Sequence, residues 1–255
     1  EASSQGGNDM SRTKMPKEHV KGWIPTMNAH GFMATKLDPY SKAWVARAAE
    51  ATAPVADVGA AYGVATLKAL AKGARVTAVD MEAKHLDILR QRVKDEEQSS
   101  RLTTVVGALP DKLTLPQETF EAILVSRVLH FLEPNEVQEA VKQLASWLKR
   151  GGRLYLVVET PYIRMLQPFI RTYEARRSAG AKWPGIIADF RRYLNPAERC
   201  HAPPRLNVMD PEVLHRICYE AGLDIEECGF IDRQDYDPSI RLDGREGAGI
   251  IAYKR

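Results

Sequence analysis

An acid and two glycines are the residues of this chain best spaced for chemistry: Asp57, Gly59 and Gly63, in the stretch Val-Ala-Asp-Val-Gly-Ala-Ala-Tyr-Gly over residues 55–63. Glycine is needed where a backbone takes positive φ or passes close to a ligand. The first free N–H groups of a helix following such a turn face whatever lies above it. A dinucleotide calls for Gly-x-Gly-x-x-Gly, because the helix start must reach a pyrophosphate. Here the spacing is Gly59-x-x-x-Gly63, and Asp57 before it repels phosphate and suits a ligand with a cationic group. The three residues describe a nucleotide-type site with an acid at its lip. Taken alone, such a turn also serves any tight strand-to-helix connection.

The elements that must hold this turn alternate in type. Residues 55–58 are β-prone, and Val64, Leu67 and Leu70 begin a helical pattern. The periodicity then predicts strand over 75–79, helix over 82–93, and strands over 102–106 and 120–125. A helix over 135–148 is expected to stop at Gly151, before a fifth strand over 153–158. This alternation argues for a parallel sheet with helices on both faces. Upstream, Pro39 precedes a helical pattern through Trp44, Val45 and Ala48, and the apolar residues between Val20 and Pro39 should pack on the domain or cover its site. Residues 161–209 interrupt the alternation with helical stretches over 163–177 and 186–193, broken by Pro184, Pro196, Pro203 and Pro204. Asp210 and Pro211 then open a helix that ends at Gly222, and two closing strands follow over 224–231 and 248–253.

Parallel α/β sheets bind ligands beyond the carboxyl ends of their strands, and those ends carry an ordered series here. After the glycine turn come Asp80-Met81, then Val106-Gly107-Ala108-Leu109. The fourth strand runs into Ser126-Arg127-Val128-Leu129-His130-Phe131-Leu132, and Leu148-Lys149-Arg150-Gly151-Gly152 leads into the fifth. In this order the segments resemble the motifs of the class I S-adenosylmethionine-dependent methyltransferases, over residues 40–160. The resemblance implies an α/β fold: a seven-stranded Rossmann-like methyltransferase sheet, mostly parallel with an antiparallel last strand, helices on both faces and a helical lid insertion. It also implies an enzyme that binds S-adenosyl-L-methionine and releases S-adenosyl-L-homocysteine. Its cofactor contacts would fall on Asp57, Gly59, Ala60, Gly63, Asp80, Met81, Gly107, Ala108, Leu109 and Ser126. Asp80 would accept both ribose hydroxyl protons, and Met81 would lie against adenine. The family often places an acid after the third-strand glycine; this chain has Ala108, so the adenine amino contact would fall to backbone or to Asp111. The expected division is 1–15 disordered, 16–52 an N-terminal cover and helix, 53–160 the cofactor-binding core, 161–209 a substrate lid and 210–255 the completion of the sheet.

Methyl transfer from a sulfonium is an in-line displacement that needs a positioned nucleophile and, for some acceptors, a base. His130 and Glu159 are the candidates for that role; the plain alternatives are a packed histidine and a solvated turn acid. The expected lid holds Arg164, Arg171, Arg176, Arg177, Arg191, Arg192, Arg199 and Arg205 against few acids. Arginines lining a pocket would select a carboxylate or phosphate, so the expected acceptor is a small metabolite, anionic if they face it. Their alternative is a solvated helix face, which the spacing of Arg171, Glu174 and Arg177 fits. Tyr40, Tyr162, Arg164 and Arg171 are the expected substrate contacts, with His30 a further candidate. A protein acceptor, or a non-catalytic module that only binds S-adenosylmethionine, stand as the other readings.

With 255 residues, 44% hydrophobic and 27% charged, the chain suits one large α/β domain. No apolar run approaches the roughly 20 residues of a membrane span and no signal-peptide pattern opens the chain, so a cytoplasmic protein without a membrane partner is expected. A net charge of +3 does not point to nucleic acid. Cys200, Cys218 and Cys228 are odd in number and lack Cys-x-x-Cys spacing, so neither a disulfide framework nor a metal site is expected. Oligomeric state is not legible from these residues.

Overall fold

A computed structural model of the chain describes residues 13–234 and 236–255; residues 1–12 of the expected N-terminal segment lie outside them. The apolar stretch before Pro39 forms an antiparallel hairpin of β1 (Trp23–Pro25) and β2 (Phe32–Ala34). Helix α1 (Pro39–Glu50) follows, with the Asp38 carboxylate accepting the Ser41 N–H and Pro39 in its first turn, where no N–H is lost. The core then alternates: β3 (Val55–Val58), α2 (Val64–Leu70), β4 (Val76–Asp80), α3 (Ala83–Arg92), a short α4 (Glu96–Ser100), β5 (Leu102–Val106), β6 (Phe120–Ser126), α5 (Pro134–Trp147) and β7 (Leu148–Glu159). Beyond it lie α6 (Gln167–Ser178), the two-residue strands β8 (Ile186–Ile187) and β9 (Leu206–Asn207), α7 (Pro211–Glu220), β10 (Asp224–Ile231) and β11 (Gly247–Tyr253).

Seven strands form one sheet in the order β10-β11-β7-β6-β3-β4-β5, parallel from β7 to β5, with β11 antiparallel to both neighbours. Alternate residues of β6 serve opposite faces. Ala122 and Leu124 pack with α1 and α2, while Ile123 and Val125 pack with α5 and α7. Both faces are covered, which is why this strand reads as a near-continuous apolar run. From β3 the chain moves outward through β4 and β5, then returns to the other side as β6 and β7. The carboxyl ends of β3 and β6 therefore diverge and leave a crevice at the switch point.

Two expected elements take another form. Gly151 does not end a helix: α5 stops at Trp147 and the chain enters β7 at once. Leu148 pairs with Phe120, residues 149–152 bulge out with Gly151 at φ +74°, and pairing resumes at Arg153 opposite Ala122. The stretch 186–193 is not one helix either. It begins as β8 paired to β9, and only Phe190–Tyr193 makes a 3-10 turn. Gly185 explains this, since a Cβ there would lie 1.7 Å from the Val208 carbonyl oxygen, so the backbones meet as only glycine permits. In the long connection between β10 and β11, the carboxylate of the buried Glu246 accepts backbone N–H groups from Arg233, Leu242, Asp243 and Gly244. Burial opposes its ionisation, but those N–H groups outweigh it and hold the carboxyl below its ordinary range.

Candidate functional site

The crevice at the ends of β3 and β6 opens into a cavity of about 260 Å³. Of the ten expected cofactor contacts, nine line it: Asp57, Gly59, Ala60, Asp80, Met81, Gly107, Ala108, Leu109 and Ser126. Gly59 has φ +84°, and a Cβ there would meet Val128 Cγ2 at 2.2 Å, so this turn admits no side chain. Gly63, also at positive φ, is the exception. It caps α2 and abuts Leu89 of α3, which a Cβ would meet at 2.1 Å, so it serves packing rather than the cavity wall.

Asp57 is buried and accepts the Thr66 hydroxyl at 2.7 Å. Burial pushes its carboxyl up to about 6; the Thr66 hydrogen bonds oppose this, and nearby Asp80 adds to it. A cation at the cavity floor would relieve that penalty. Asp80 is more heavily engaged than expected. Its Oδ2 accepts the Ala61 N–H at 2.8 Å, and its Oδ1 accepts the Glu82 N–H and faces His85 Nδ1, both at 2.9 Å. A carboxylate offers about four lone-pair sites, so Asp80 has room for one further hydroxyl, not two. Met81, half exposed at the rim, offers an apolar surface for a flat ring. Asp111 is exposed and away from the cavity, so the acceptor for the adenine amino group does not come from it.

The hairpin roofs this cavity and is latched to it. Met27 donates its N–H to His85 Nε2 at 3.0 Å, and the Tyr62 hydroxyl donates to the Pro25 carbonyl at 2.7 Å. Because His85 Nε2 accepts, the ring proton sits on Nδ1 and points at Asp80.

A second, more apolar chamber of about 140 Å³ adjoins the first, and His30, Phe32, Arg127 and Phe131 line both. The expected lid contributes Ile163, Met165, Phe190, Leu194 and Leu206 to its wall, and the hairpin contributes Trp23. At the boundary stands Arg127, at φ +64° and without glycine's freedom. Its guanidinium pairs with Glu159, donates to the Tyr236 hydroxyl at 2.6 Å and lies 4.7 Å over the Trp23 ring. Tyr236 in turn donates to Glu159 Oε1 at 3.3 Å. Burial holds the Arg127 guanidinium below its ordinary range.

Both candidate catalysts, His130 and Glu159, line this second chamber. His130 Nδ1 accepts the Glu159 backbone N–H at 3.3 Å, so the ring carries its proton on Nε2 and is a donor, contrary to the base expected of it. Burial, then the charge of Arg127, keeps it well below the usual imidazole range and therefore neutral at pH 7.

None of the four expected substrate contacts reaches either chamber. Tyr40 lies beneath the sheet, its ring filling the space over Gly249, where a Cβ would meet it at 2.2 Å. Tyr162 is buried among Tyr173, Phe230 and Arg245, with its hydroxyl on Glu174. Arg164 bonds the Pro238 and Arg241 carbonyls, and Arg171 is exposed. The remaining insertion arginines point elsewhere too: Arg176 to the Pro184 and Ile186 carbonyls, Arg177 to Glu212, Arg191 to the Ala202 carbonyl, Arg192 to Tyr193, Arg199 to the Leu194 carbonyl and Arg205 to Glu133. They fix the insertion and its surface, which removes the reason for an anionic acceptor. Arg127, Tyr236 and His85 were missed by sequence reasoning, whereas Trp23 falls in the stretch expected to pack on the domain or cover the site. The only signal was a lone arginine inside the Ser126 to Leu132 run.

Residues 55–152 match the protein family described as a methyltransferase domain. The chain is 35% identical over 120 residues to a demethylmenaquinone methyltransferase of Tropheryma whipplei, covering 47% of each. It is 30% identical over 106 residues to an uncharacterized methyltransferase of Mycobacterium bovis, covering 42% of this chain and 40% of that one. The chain thus spans about half the length of these curated relatives. In three dimensions it resembles a S-adenosylmethionine-dependent methyltransferase of Methanosarcina mazei, with a TM-score of 0.61, 17% identity, and coverage of 86% and 98%. It also resembles the glycopeptide N-methyltransferase MtfA complexed with S-adenosylmethionine, with a TM-score of 0.58, 15% identity, and coverage of 91% and 97%. Among the described residues no helix is long and apolar enough to cross a membrane. Residues 55–152 thus match a methyltransferase domain, and the chain carries the Rossmann-like fold of the S-adenosylmethionine-dependent methyltransferases it resembles.

Proposed function

We propose that the protein transfers the methyl group of S-adenosylmethionine to a small molecule held in the second chamber. The observation that carries this reading is the pair of joined cavities, one at the glycine turn and one apolar, with four wall residues in common. The first suits the cofactor by its own chemistry: a side-chain-free cradle at Gly59, a buried carboxylate whose ionisation is penalised until a cation arrives, and an exposed methionine at the rim. Asp57 takes the cationic amino end, the remaining lone pair of Asp80 takes one ribose hydroxyl, and Met81 covers the adenine. When bound there, S-adenosylmethionine supplies an electrophilic methyl on a positively charged sulfur.

Arg127 and Phe131, at the junction, orient the acceptor toward that methyl, and the apolar wall excludes water from the path. Glu159 is the group in reach of an acceptor's proton, since His130 donates. The reading is tested by calorimetric titration of wild type and Asp80→Ala with S-adenosylmethionine, and by release of S-adenosylhomocysteine from a metabolite extract. Wild type binds, Asp80→Ala binds about tenfold more weakly or worse, as losing a hydrogen bond to a charged group implies, and release survives protease digestion of the extract. No binding by wild type overturns the reading; release that digestion abolishes moves it to a protein acceptor.

A further inference from the structure

The second chamber has the features of a site for one particular kind of acceptor; this step rests on the methyl-transfer reading above. At about 140 Å³ it is close to the cavity of about 150 Å³ known to take a benzene ring. Its wall of Trp23, Phe190, Leu194, Leu206 and Met165 gives such a ring apolar contact on several sides. Arg127, Glu159, Tyr236 and His130 are linked to one another in its wall, and Arg127 also borders the cofactor cavity. There Glu159 Oε1 pairs with Arg127 and accepts the Tyr236 hydroxyl. His130, with Nδ1 engaged by the Glu159 N–H, presents Nε2–H as a donor.

The charges of that linked set cancel. Arg127 is matched by Glu159, and Glu198 adds a carboxylate to the chamber wall. A carboxylate or phosphate ligand would shed its water and find no unspent cation, whereas a neutral ligand gives up little.

We infer that the acceptor is a neutral, single-ring hydroxyaromatic compound, held by its hydroxyl between Glu159 Oε2 and His130 Nε2–H and methylated on that oxygen. The hydroxyl donates to the carboxylate and accepts from the imidazole, a pairing that a carboxylate ligand or an unsubstituted ring cannot satisfy. As the oxygen–methyl bond forms, the carbon–sulfur bond breaks with its electron pair left on sulfur, and the hydroxyl proton passes to Glu159. The products are a methyl ether, neutral S-adenosylhomocysteine and a protonated Glu159, which returns its proton to solvent after release. The charge lost from sulfur reappears as the unmatched Arg127, so the joined cavities keep the same net charge through the step.

The test is equilibrium binding of phenol, benzoate and toluene to the full chain, with S-adenosylhomocysteine binding measured in parallel. Phenol is expected to bind about tenfold or more tightly than either, given one hydrogen bond to a charged acceptor. In Glu159→Gln, Arg127 is left unmatched and the order of phenol and benzoate inverts. Leu206→Trp fills the chamber and removes phenol binding while S-adenosylhomocysteine still binds; it decides the matter should Glu159→Gln not fold. Benzoate binding as tightly as phenol in wild type, or phenol binding unchanged in Leu206→Trp, overturns the inference. A chain that binds S-adenosylhomocysteine but not phenol sinks this inference alone; one that binds no S-adenosylhomocysteine sinks the methyl-transfer reading beneath it.

Discussion

The carboxylate of Asp80 and the imidazole of His85 lie 2.9 Å apart in the buried floor of the cofactor cavity, and the far nitrogen of that ring accepts the backbone N–H of Met27. One side chain thus ties the acid at the end of β4 to the roof. His85→Ala leaves Met27 without its acceptor and Asp80 without one donor, a loss of roughly 1–3 kcal/mol in stability. Hydrogen exchange at the Met27 amide should accelerate markedly, whereas exchange in β6, on the far side of the cavity, should change only with global stability.

On the proposed reading, Asp57 makes cofactor binding depend on pH in a definite direction. Its carboxyl, ordinarily near 3.8, is raised to about 6 in the folded chain, so the folded state holds this proton more tightly than the unfolded one. The stability it contributes is full below about pH 4 and is lost as pH rises through about 6, up to roughly 3 kcal/mol for a fully buried group. Asp57→Asn, whose amide oxygen still accepts from Thr66, should therefore melt higher than wild type at pH 7.5 and by only about half as much at pH 5. The same variant should bind S-adenosylmethionine poorly at both. Wild type should bind better at pH 7.5 than at pH 5, with proton release visible at pH 5 as a buffer-dependent binding enthalpy.

Gly59→Ala meets two separate obstacles, positive φ and the Val128 methyl at 2.2 Å. The backbone part costs on the order of 1–3 kcal/mol. Adding Val128→Ala removes the collision and leaves the backbone cost. Thermal melts should show the double variant recovering part of the loss. Cofactor affinity should recover less, because the added methyl still borders the cradle.

The insertion arginines should be silent in substrate kinetics. Arg171→Ala and Arg192→Ala, both on the exposed surface, should leave KM for a small acceptor within about twofold and stability within roughly 0.5 kcal/mol. A rise of tenfold in KM for either would return these side chains to the site.

The order of strands, the glycine turn and the acids at the ends of β3 and β4 were legible because they rest on local chemistry. A buried strand needs apolar runs, and a turn at positive φ needs glycine. The direction of the arginines was not legible: Arg171 and Arg177 have surface spacing whether or not a pocket faces them, and only packing of α6 settles it. Tyr40 misled for the same reason, since its position in the first turn of α1 is compatible with cover or core. The bond set around Asp80 could not be read either, because His85 and Ala61 reach it through the fold. Arg127 escaped notice because its pairing with Glu159 and Tyr236 joins residues 32 and 109 positions away, on elements that meet only at the switch point. The hairpin strands are three residues each, too short for alternation to show.

That hairpin pairs with itself alone and contributes no rung to the seven-stranded sheet. It nevertheless furnishes wall to both chambers and precedes the stretch that matches a methyltransferase domain. On the proposed reading, grafting residues 19–34 from another sequence as a cassette should change acceptor preference while leaving every ladder of the scaffold beneath it untouched.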